Sequence, residues 1–200
     1  TKKLQQERQK SKSKNTTTTN LYLVMRRTLT LAAAATERVK QYHLRAVGIG
    51  VKCTTRTGSG HQVITDVPHS SGGTDSAAEP VYHLLAALVG CETATATFVA
   101  RKMKLNLKEM KFEIAAFRDE QGALSLPIDQ DPEVPAAIQA VTGICVVDAP
   151  GITDEELTVL AKQTHLRCPV ASMMTLAGTD INIEYQKAVT LDAPPSETMF

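Results

Sequence analysis

The sequence predicts an α+β protein whose sheet strands pair antiparallel. Short alternating runs stand before, between and after the helical stretches, in the order three strands, helix, two strands, helical region and strand. Turn residues join neighbouring strands directly, as in hairpins, where a βαβ unit would need a long crossover. The 200 residues are 42% apolar and 22% charged, an ordinary globular composition that buries a sizeable core.

Charge and composition exclude several functions. The net charge of +1 gives no overall attraction for nucleic acid or an anionic membrane, although residues 1–14 alone carry +5 and leave −4 for the remainder. Aromatic residues make up 4% and Trp is absent, which argues against a base-stacking surface. The four cysteines are widely spaced and form no CxxC pair, so we expect reduced thiols in an intracellular protein, with no metal and no cofactor. They are Cys53, Cys91, Cys145 and Cys168.

Residues 1–41 are predicted to be a disordered or targeting segment. Residues 1–20 are polar and of low complexity. From Met25 the chain is basic and rich in Thr, Leu and Ala, with no acidic residue before Glu37, which is typical of a mitochondrial transit peptide. Met25 is then a candidate initiator; the alternative is a flexible tail or a short edge helix in a cytoplasmic protein. Arg26 and Arg27 interrupt the apolar run too early for a membrane span.

The folded domain is expected over residues 42–189, followed by a tail at 190–200. Apolar and polar residues alternate over 43–53, turn-forming residues follow over 54–60, and a second strand is predicted over 62–65. Together they predict one β-hairpin with a moderately long loop. A Gly/Ser loop over 69–76 follows.

The longest predicted helix runs from Pro80 to Lys104. Proline suits a first helical turn, and the basic residues at the end suit the negative pole of the helix dipole. Its first half, residues 81–91, carries no formal charge and is apolar nearly all round. Such a helix is expected to be enclosed by protein on every side.

The remaining elements follow from local signals. Residues 110–116 alternate as a half-buried strand, residues 119–122 form a turn, and residues 124–126 are a candidate return strand. Residues 136–147 are predicted to be a buried strand. Thr153 and Glu156 form a capping box that begins the next helix. A short helix begins at Pro169, and residues 181–186 are the last strand.

Two thiols stand in unusual settings. Cys168 directly precedes Pro169, so it is predicted to cap a helix beside Arg167, and both neighbours favour a lowered pKa for its thiol. Cys91 lies in the middle of the apolar helix, where periodicity alone favours an inert core thiol. Cys53 and Cys145 are expected to be structural.

The surroundings of both thiols resemble one family. Residues 72–75 (GGTD) leading into 80–91 (PVYHLLAALVGC) resemble the central helix of the OsmC/Ohr family, the osmotically inducible and organic hydroperoxide resistance proteins. The capped helix that runs into 167–170 (RCPV) is similar to that family's second cysteine motif, and the match covers roughly residues 42–189. The resemblance implies an intertwined homodimer, with antiparallel sheets around buried central helices and active sites at the subunit interface.

The resemblance also implies a two-cysteine reduction of organic hydroperoxides. Cys91 becomes the peroxidatic thiol and Cys168 the resolving thiol, and an external dithiol reduces their disulfide. An arginine of the first hairpin keeps the attacking thiol ionised in this family, and Arg56 is the closest match by position. The alternative is that Arg56 is an exposed arginine at the hairpin tip.

The sequence departs from the family at one carboxylate. Active members place a Glu just after the helix-opening proline to orient the arginine, whereas Val81 and Tyr82 stand there in this chain. Glu79 is the candidate substitute; the alternative is an ordinary charge at a helix N-terminus.

Two functions therefore remain open. The first is a thiol-dependent peroxidase in oxidative-stress defence, with a homodimer, an organic hydroperoxide and an external dithiol as partners, and with no nucleic acid or membrane. The second is an OsmC-like dimer without peroxidase turnover, which binds a hydrophobic small molecule at the subunit interface. The missing Glu favours the second function.

Overall fold

The structure is a computed structural model and describes residues 39–188. Almost all of the predicted N-terminal segment 1–41 and the whole predicted tail 190–200 lie outside the described residues. The described chain divides into two compact units. The first holds residues up to Ile49 and Cys53–Ile64, and the second holds Gly50–Lys52 and the chain from Thr65 onward.

The first three strands form one sheet in the order β1-β2-β3. They are β1 (Leu44–Ile49), β2 (Lys52–Thr57) and β3 (Gln62–Thr65). The prediction of a single hairpin with an unbroken strand over 43–53 was wrong, because the chain turns at Gly50, whose φ of +60° suits a residue without a side chain. Apolar residues continue to alternate through this turn, so the sequence periodicity did not reveal where β1 ends and β2 begins. Residues 54–57, predicted as turn, belong to β2.

The loop between β3 and the first helix is organised by one carboxylate. Asp66 is 1% exposed and accepts hydrogen bonds from the hydroxyls of Thr74 (2.6 Å) and Ser76 (2.7 Å). The backbone N–H groups of Val67, Thr74 and Ser76 also donate to it. These hydrogen bonds to the charged form hold the pKa of Asp66 well below its usual range. The loop therefore has a defined path into the helix.

Helix α1 (Pro80–Met103) has the predicted limits and ends at Lys104 in the left-handed conformation. Its buried residues recur with helical periodicity, and they are Leu88, Glu92, Ala96, Val99 and Ala100. Enclosure on every side is not found within the described chain, because Ala86, Gly90 and Phe98 are exposed. Within the second unit, α1 packs against the two later helices, Asp154–Arg167 and Pro169–Leu176, and against the strand Glu109–Phe117. By length and composition alone this helix also meets the criteria for a membrane span, as core helices of soluble proteins do.

The second sheet has the order β4-β5-β6. Strand β4 (Glu109–Phe117) pairs antiparallel with β5 (Ala140–Asp148), which pairs in parallel with β6 (Asp180–Lys187). The parallel pair arises because helices α3 (Asp154–Arg167) and α4 (Pro169–Leu176) form the crossover between the two strands. The predicted α+β class is confirmed, with one sheet of mixed direction.

Two local predictions in this unit have different outcomes. The predicted turn at 119–122 is confirmed, since the Gly122 N–H donates to the Asp119 carbonyl at 3.3 Å. The predicted return strand at 124–126 was wrong, because residues Gln121–Leu124 form the short helix α2. The capping box is confirmed: the Thr153 hydroxyl accepts from the Glu156 N–H, and the Glu156 carboxylate accepts from the Thr153 N–H. It fixes the start of α3 after β5.

Two apolar clusters pack the second unit. One joins the end of α1 to β5 and α3, with Leu160 and Val147 fully buried. The other joins the first half of α1 to β5 and α4, and consists of Leu88, Ile138, Val141, Cys168, Ala171 and Met174. The second cluster surrounds the site described next.

Candidate active site

The structure brings Cys91 and Cys168 close together. Cys91 lies in the middle of α1 and packs against the second apolar cluster, of which Cys168 is a member. The two thiols are near enough to interact, since Cys91 is one of the groups that raise the pKa of Cys168. The fold therefore brings together two thiols that lie 77 positions apart in the chain.

Local sequence explains how Cys168 reaches this place. Pro169 suits a first helical turn and disfavours helical geometry in the residue before it, so α3 ends at Arg167 and α4 begins at Pro169. Cys168 lies between them in an extended conformation and is the N-cap of α4, as predicted. Its Sγ accepts a hydrogen bond from the Ala171 N–H at 3.4 Å.

The predicted lowering of the Cys168 pKa was wrong. Burial raises the pKa of this thiol, and Cys91 also raises it, while the N–H groups of Ala171 and Val170 oppose the rise; the resulting pKa is about 11. Cys168 is fully buried, so the loss of solvation outweighs the amide dipoles at the helix start. Arg167 is exposed and does not contribute to the shift. Cys168 is therefore a protonated thiol near neutral pH.

Cys91 is the more accessible of the two thiols. It is half-buried and opens onto a groove of about 660 Å³. The groove is mainly apolar and has one charged residue at its edge; its lining is Cys91, Ala94, Thr95, Phe98, Leu166, Arg167 and Pro169. An apolar organic molecule can thus reach the sulfur of Cys91 while Cys168 stays behind it.

The other two predicted site residues lie in different units. Arg56 is exposed and is the second-last residue of strand β2, just before the turn that begins at Gly58. It lines a cavity with His43 and Arg45. Glu79 is the N-cap of α1, is half-buried and makes no capping hydrogen bond with its side chain. The roles of Arg56 and Glu79 stay predictions.

Sequence reasoning missed the carboxylate beside Cys91. Glu92 is 1% exposed, accepts a hydrogen bond from the Tyr185 hydroxyl at 3.2 Å, and has its Oε1 3.6 Å from His165 Nδ1. Burial raises the pKa of Glu92, and Tyr185 and His165 oppose the rise. The available signal was that Glu92 is the single acidic residue within Pro80–Met103.

The remaining thiols lie apart from this chemistry. Cys145 on β5 is fully buried, and burial, with the Glu92 charge as a second cause, raises its pKa to about 12. Cys53 on β2 is half-buried and contacts the Thr55 hydroxyl at 3.7 Å. A thiol with a raised pKa is a weak nucleophile, which agrees with the structural role expected for Cys145.

The fold and the paired thiols define a class: an α+β protein with one buried and one accessible cysteine in contact. A family model described as OsmC-like protein matches residues 73–184. This match covers more than half of the chain and includes both cysteines. The chain belongs to the OsmC-like family.

Solved structures agree with this assignment at the level of the fold. An OsmC-like protein from Mycoplasma pneumoniae is similar with a TM-score of 0.60 and 18% identity, over 75% of this chain and 99% of that one. An organic hydroperoxide resistance protein OsmC from Legionella pneumophila gives 0.56 and 18%, over 74% and 98%. An organic hydroperoxide resistance protein from Elizabethkingia anophelis gives 0.55 and 17%, over 76% and 99%. A search of curated protein sequences found no match.

Proposed function

We propose that this protein is a thiol-dependent peroxidase that reduces organic hydroperoxides in oxidative-stress defence. The observation that carries the proposal is the proximity of the Cys91 and Cys168 thiols, with Cys91 lining an apolar groove. Family membership supports the same activity, since two of the similar solved proteins are named for organic hydroperoxide resistance.

The proposed cycle has three steps. The Cys91 thiolate attacks an oxygen of the hydroperoxide, the O–O bond breaks, and the alkoxide takes a proton and leaves as an alcohol. Cys91 is then a sulfenic acid, and the thiol of Cys168 condenses with it, forming the disulfide and releasing water. An external dithiol reduces the disulfide by two exchange steps and becomes a disulfide itself. Because the two thiols already lie close together in one chain, the second step is intramolecular.

A cation is needed to hold Cys91 as a thiolate in an apolar setting. We assign this role to Arg56, because a guanidinium is permanently charged and its planar fork suits an anionic partner. Glu79 is the proposed carboxylate that orients Arg56, in place of the Glu that Val81 replaces. Arg167 lines the same groove as Cys91 and is a second candidate for this cation.

The active form is proposed to be a homodimer with its sites at the subunit interface. Support comes from the exposed side of α1, where Phe98 is 54% exposed, and from the apolar residues Leu44, Val47 and Ile49 of β1, which are 65–79% exposed. Surfaces of this kind are typical of protein interfaces. A mitochondrial location, based on the composition from Met25 onward, is also a proposal and concerns residues outside the described part of the chain.

Binding without turnover is the second candidate function. The apolar groove would hold a hydrophobic small molecule whether or not Cys91 reacts, and Val81 in place of the family's Glu favours this function. In this case one equivalent of an organic hydroperoxide would leave both thiols free, without any sulfur oxidation.

Peroxide consumption by cysteine variants separates the two functions. We expect Cys91→Ser to lower turnover of cumene hydroperoxide with dithiothreitol by at least about 10³-fold, as loss of a nucleophile does. Cys168→Ser should complete a single turnover and accumulate a sulfenic acid on Cys91. Cys53→Ser is the matched control and should retain the wild-type rate. Repeated turnover by Cys91→Ser would reject the peroxidase.

A further inference from the structure

A buried polar network lies beside the groove, about 100° around α1 from Cys91. At its centre is Glu92, which accepts from the Tyr185 hydroxyl of β6 and lies 3.6 Å from His165 of α3. The other ring nitrogen of His165 is 3.5 Å from the hydroxyl of Thr175 on α4. The proposed dithiol cycle uses none of these groups.

The network touches each element that positions a thiol. Glu92 directly follows Cys91. Because consecutive side chains of a helix point about 100° apart, the two side chains leave α1 in different directions, and holding one of them also sets the direction of the other. His165 lies in the last turn of α3, three residues before Cys168, and its contact with Thr175 reaches α4 beyond Cys168. The α3–α4 junction that holds Cys168 is therefore tied on both sides to α1 through one carboxylate.

The side chain of Glu92 is strongly constrained to point toward Tyr185 and His165. Among residues 39–188, His165 is the one cation within ion-pair distance of this carboxylate. A buried carboxylate that loses its partners carries a large desolvation cost, so rotation of α1 away from Tyr185 and His165 is unfavourable.

Disulfide formation is sensitive to such a rotation. The bond requires the two Cβ atoms to lie within about 3.5–4.5 Å of each other. Turning a helix by about 20° moves a sulfur that lies about 4 Å from the axis by more than about 1 Å. A group that fixes the rotation of α1 thus decides how often the two sulfurs are in bonding position.

We propose that Glu92 is a positioning residue for the Cys91–Cys168 disulfide, acting through His165 and Tyr185 to hold α1 and the α3–α4 junction in register. The catalytic use of that disulfide rests on the proposed function, but its formation does not. Positioning lowers the free energy of the disulfide form relative to the dithiol form, because it restricts the dithiol to geometries close to the bond.

The test is the thiol–disulfide equilibrium of the full chain in glutathione buffers, followed by mass spectrometry of the Cys91–Cys168 peptides. Glu92→Ala and His165→Asn should each lower the equilibrium constant for the disulfide at least about tenfold, and the double variant should lose no more than either single variant. Glu92→Gln keeps the shape and an acceptor for Tyr185, so it should recover part of the loss. Glu155→Ala, which removes an exposed carboxylate of α3, is the control.

A purely structural role gives a different result. Glu92→Ala would then lower the free energy of unfolding of the reduced protein while leaving the thiol–disulfide equilibrium at its wild-type value, and that result would overturn the proposal. If Glu92→Ala does not fold, the thiol–disulfide equilibrium constants of Glu92→Gln and His165→Asn decide between the two roles. Glutathione exchange involves no hydroperoxide, so it tests the positioning role separately from the peroxidase. If the wild-type disulfide forms in glutathione buffer but not with cumene hydroperoxide, the peroxidase is rejected and the role of Glu92 is not.

Discussion

Thr164, on the inward side of α3, buries a hydroxyl for which the described residues provide no hydrogen-bond partner. Burying a polar group without a partner costs about 1–3 kcal/mol. We therefore expect Thr164→Val, which keeps the branched shape, to raise the free energy of unfolding by about 1 kcal/mol in urea titrations.

The control for that substitution is Thr158→Val, also on α3. The Thr158 hydroxyl is exposed and donates to the Asp154 carbonyl at 2.8 Å, so its loss should change stability by less than about 0.5 kcal/mol. A Thr164→Val variant less stable than the wild type would show that this hydroxyl has a partner in solution.

Two effects compete for the pKa of Cys168: the helix start lowers it and burial raises it. The sequence predicted only the first. The Cys-Pro pair is a local signal, and it correctly placed the thiol at the start of α4. The burial that raises its pKa comes from Leu88 on α1 and Val141 on β5, which are distant in the chain. Local sequence therefore predicts where the sulfur is attached, but the tertiary packing decides its protonation.

At the scale of elements, the loop before α1 depends on the Asp66 carboxylate. Asp66→Asn would replace an acceptor of five hydrogen bonds by a neutral amide. We expect a lower melting temperature, and faster hydrogen exchange at the amides of Thr74 and Ser76, since these donate directly to Asp66. The exposed Asp75 in the same loop provides the control, Asp75→Asn.

The pH dependence of this loop has a defined sign. The pKa of Asp66 is lower in the folded protein, so its contribution to stability is complete above its ordinary value of 3.8 and is lost as the pH falls through the folded value. The difference in melting temperature between wild type and Asp66→Asn should therefore shrink only in strong acid. A difference that is unchanged down to pH 2, or absent at pH 7, would contradict this role.

Elements with local signals were predicted well, and those without were not. Pro80 and the capping box of Thr153 mark helix starts that the structure reproduces. The turn at Gly50 has no such signal, since Val47, Ile49 and Val51 alternate across it. The exposed side of α1 was also missed, because an apolar helix surface does not reveal whether its own chain covers it.

For the whole molecule, alkaline pH should lower stability. In the folded protein the pKa of Cys168 is about 11 and that of Cys145 about 12, against an ordinary value of 9.0. Because both are raised, their contribution is complete below pH 9 and is lost as the pH rises toward the folded values. Each group lowers the free energy of unfolding by up to about 1.4 kcal/mol per pH unit.

Urea titrations of the reduced protein between pH 8 and 10.5 measure this slope. Cys168→Ala should show a shallower fall than the wild type above pH 9, because one of the two thiols no longer titrates in the unfolded state. Cys53→Ser provides a comparison at a thiol outside the buried pair. Equal slopes in the wild type and Cys168→Ala would contradict the pKa assigned to Cys168.

In the candidate site, as in the fold, residues within recognisable motifs were predicted and residues outside such motifs were not. The resemblance of two motifs pointed to Cys91 and Cys168, and the structure adds that the two residues lie close together. Glu92 could not be identified in this way, since its partners Tyr185 and His165 lie far along the chain and share no motif with it. Arg56 and Glu79 remain predictions because they belong to separate units.

The most direct measurement of the central claim is a non-reducing peptide map after the reduced protein meets one equivalent of cumene hydroperoxide. The proposed cycle yields a single disulfide between Cys91 and Cys168, with Cys53 and Cys145 still free. Free thiols at both Cys91 and Cys168, or Cys91 oxidised without joining Cys168, would contradict it.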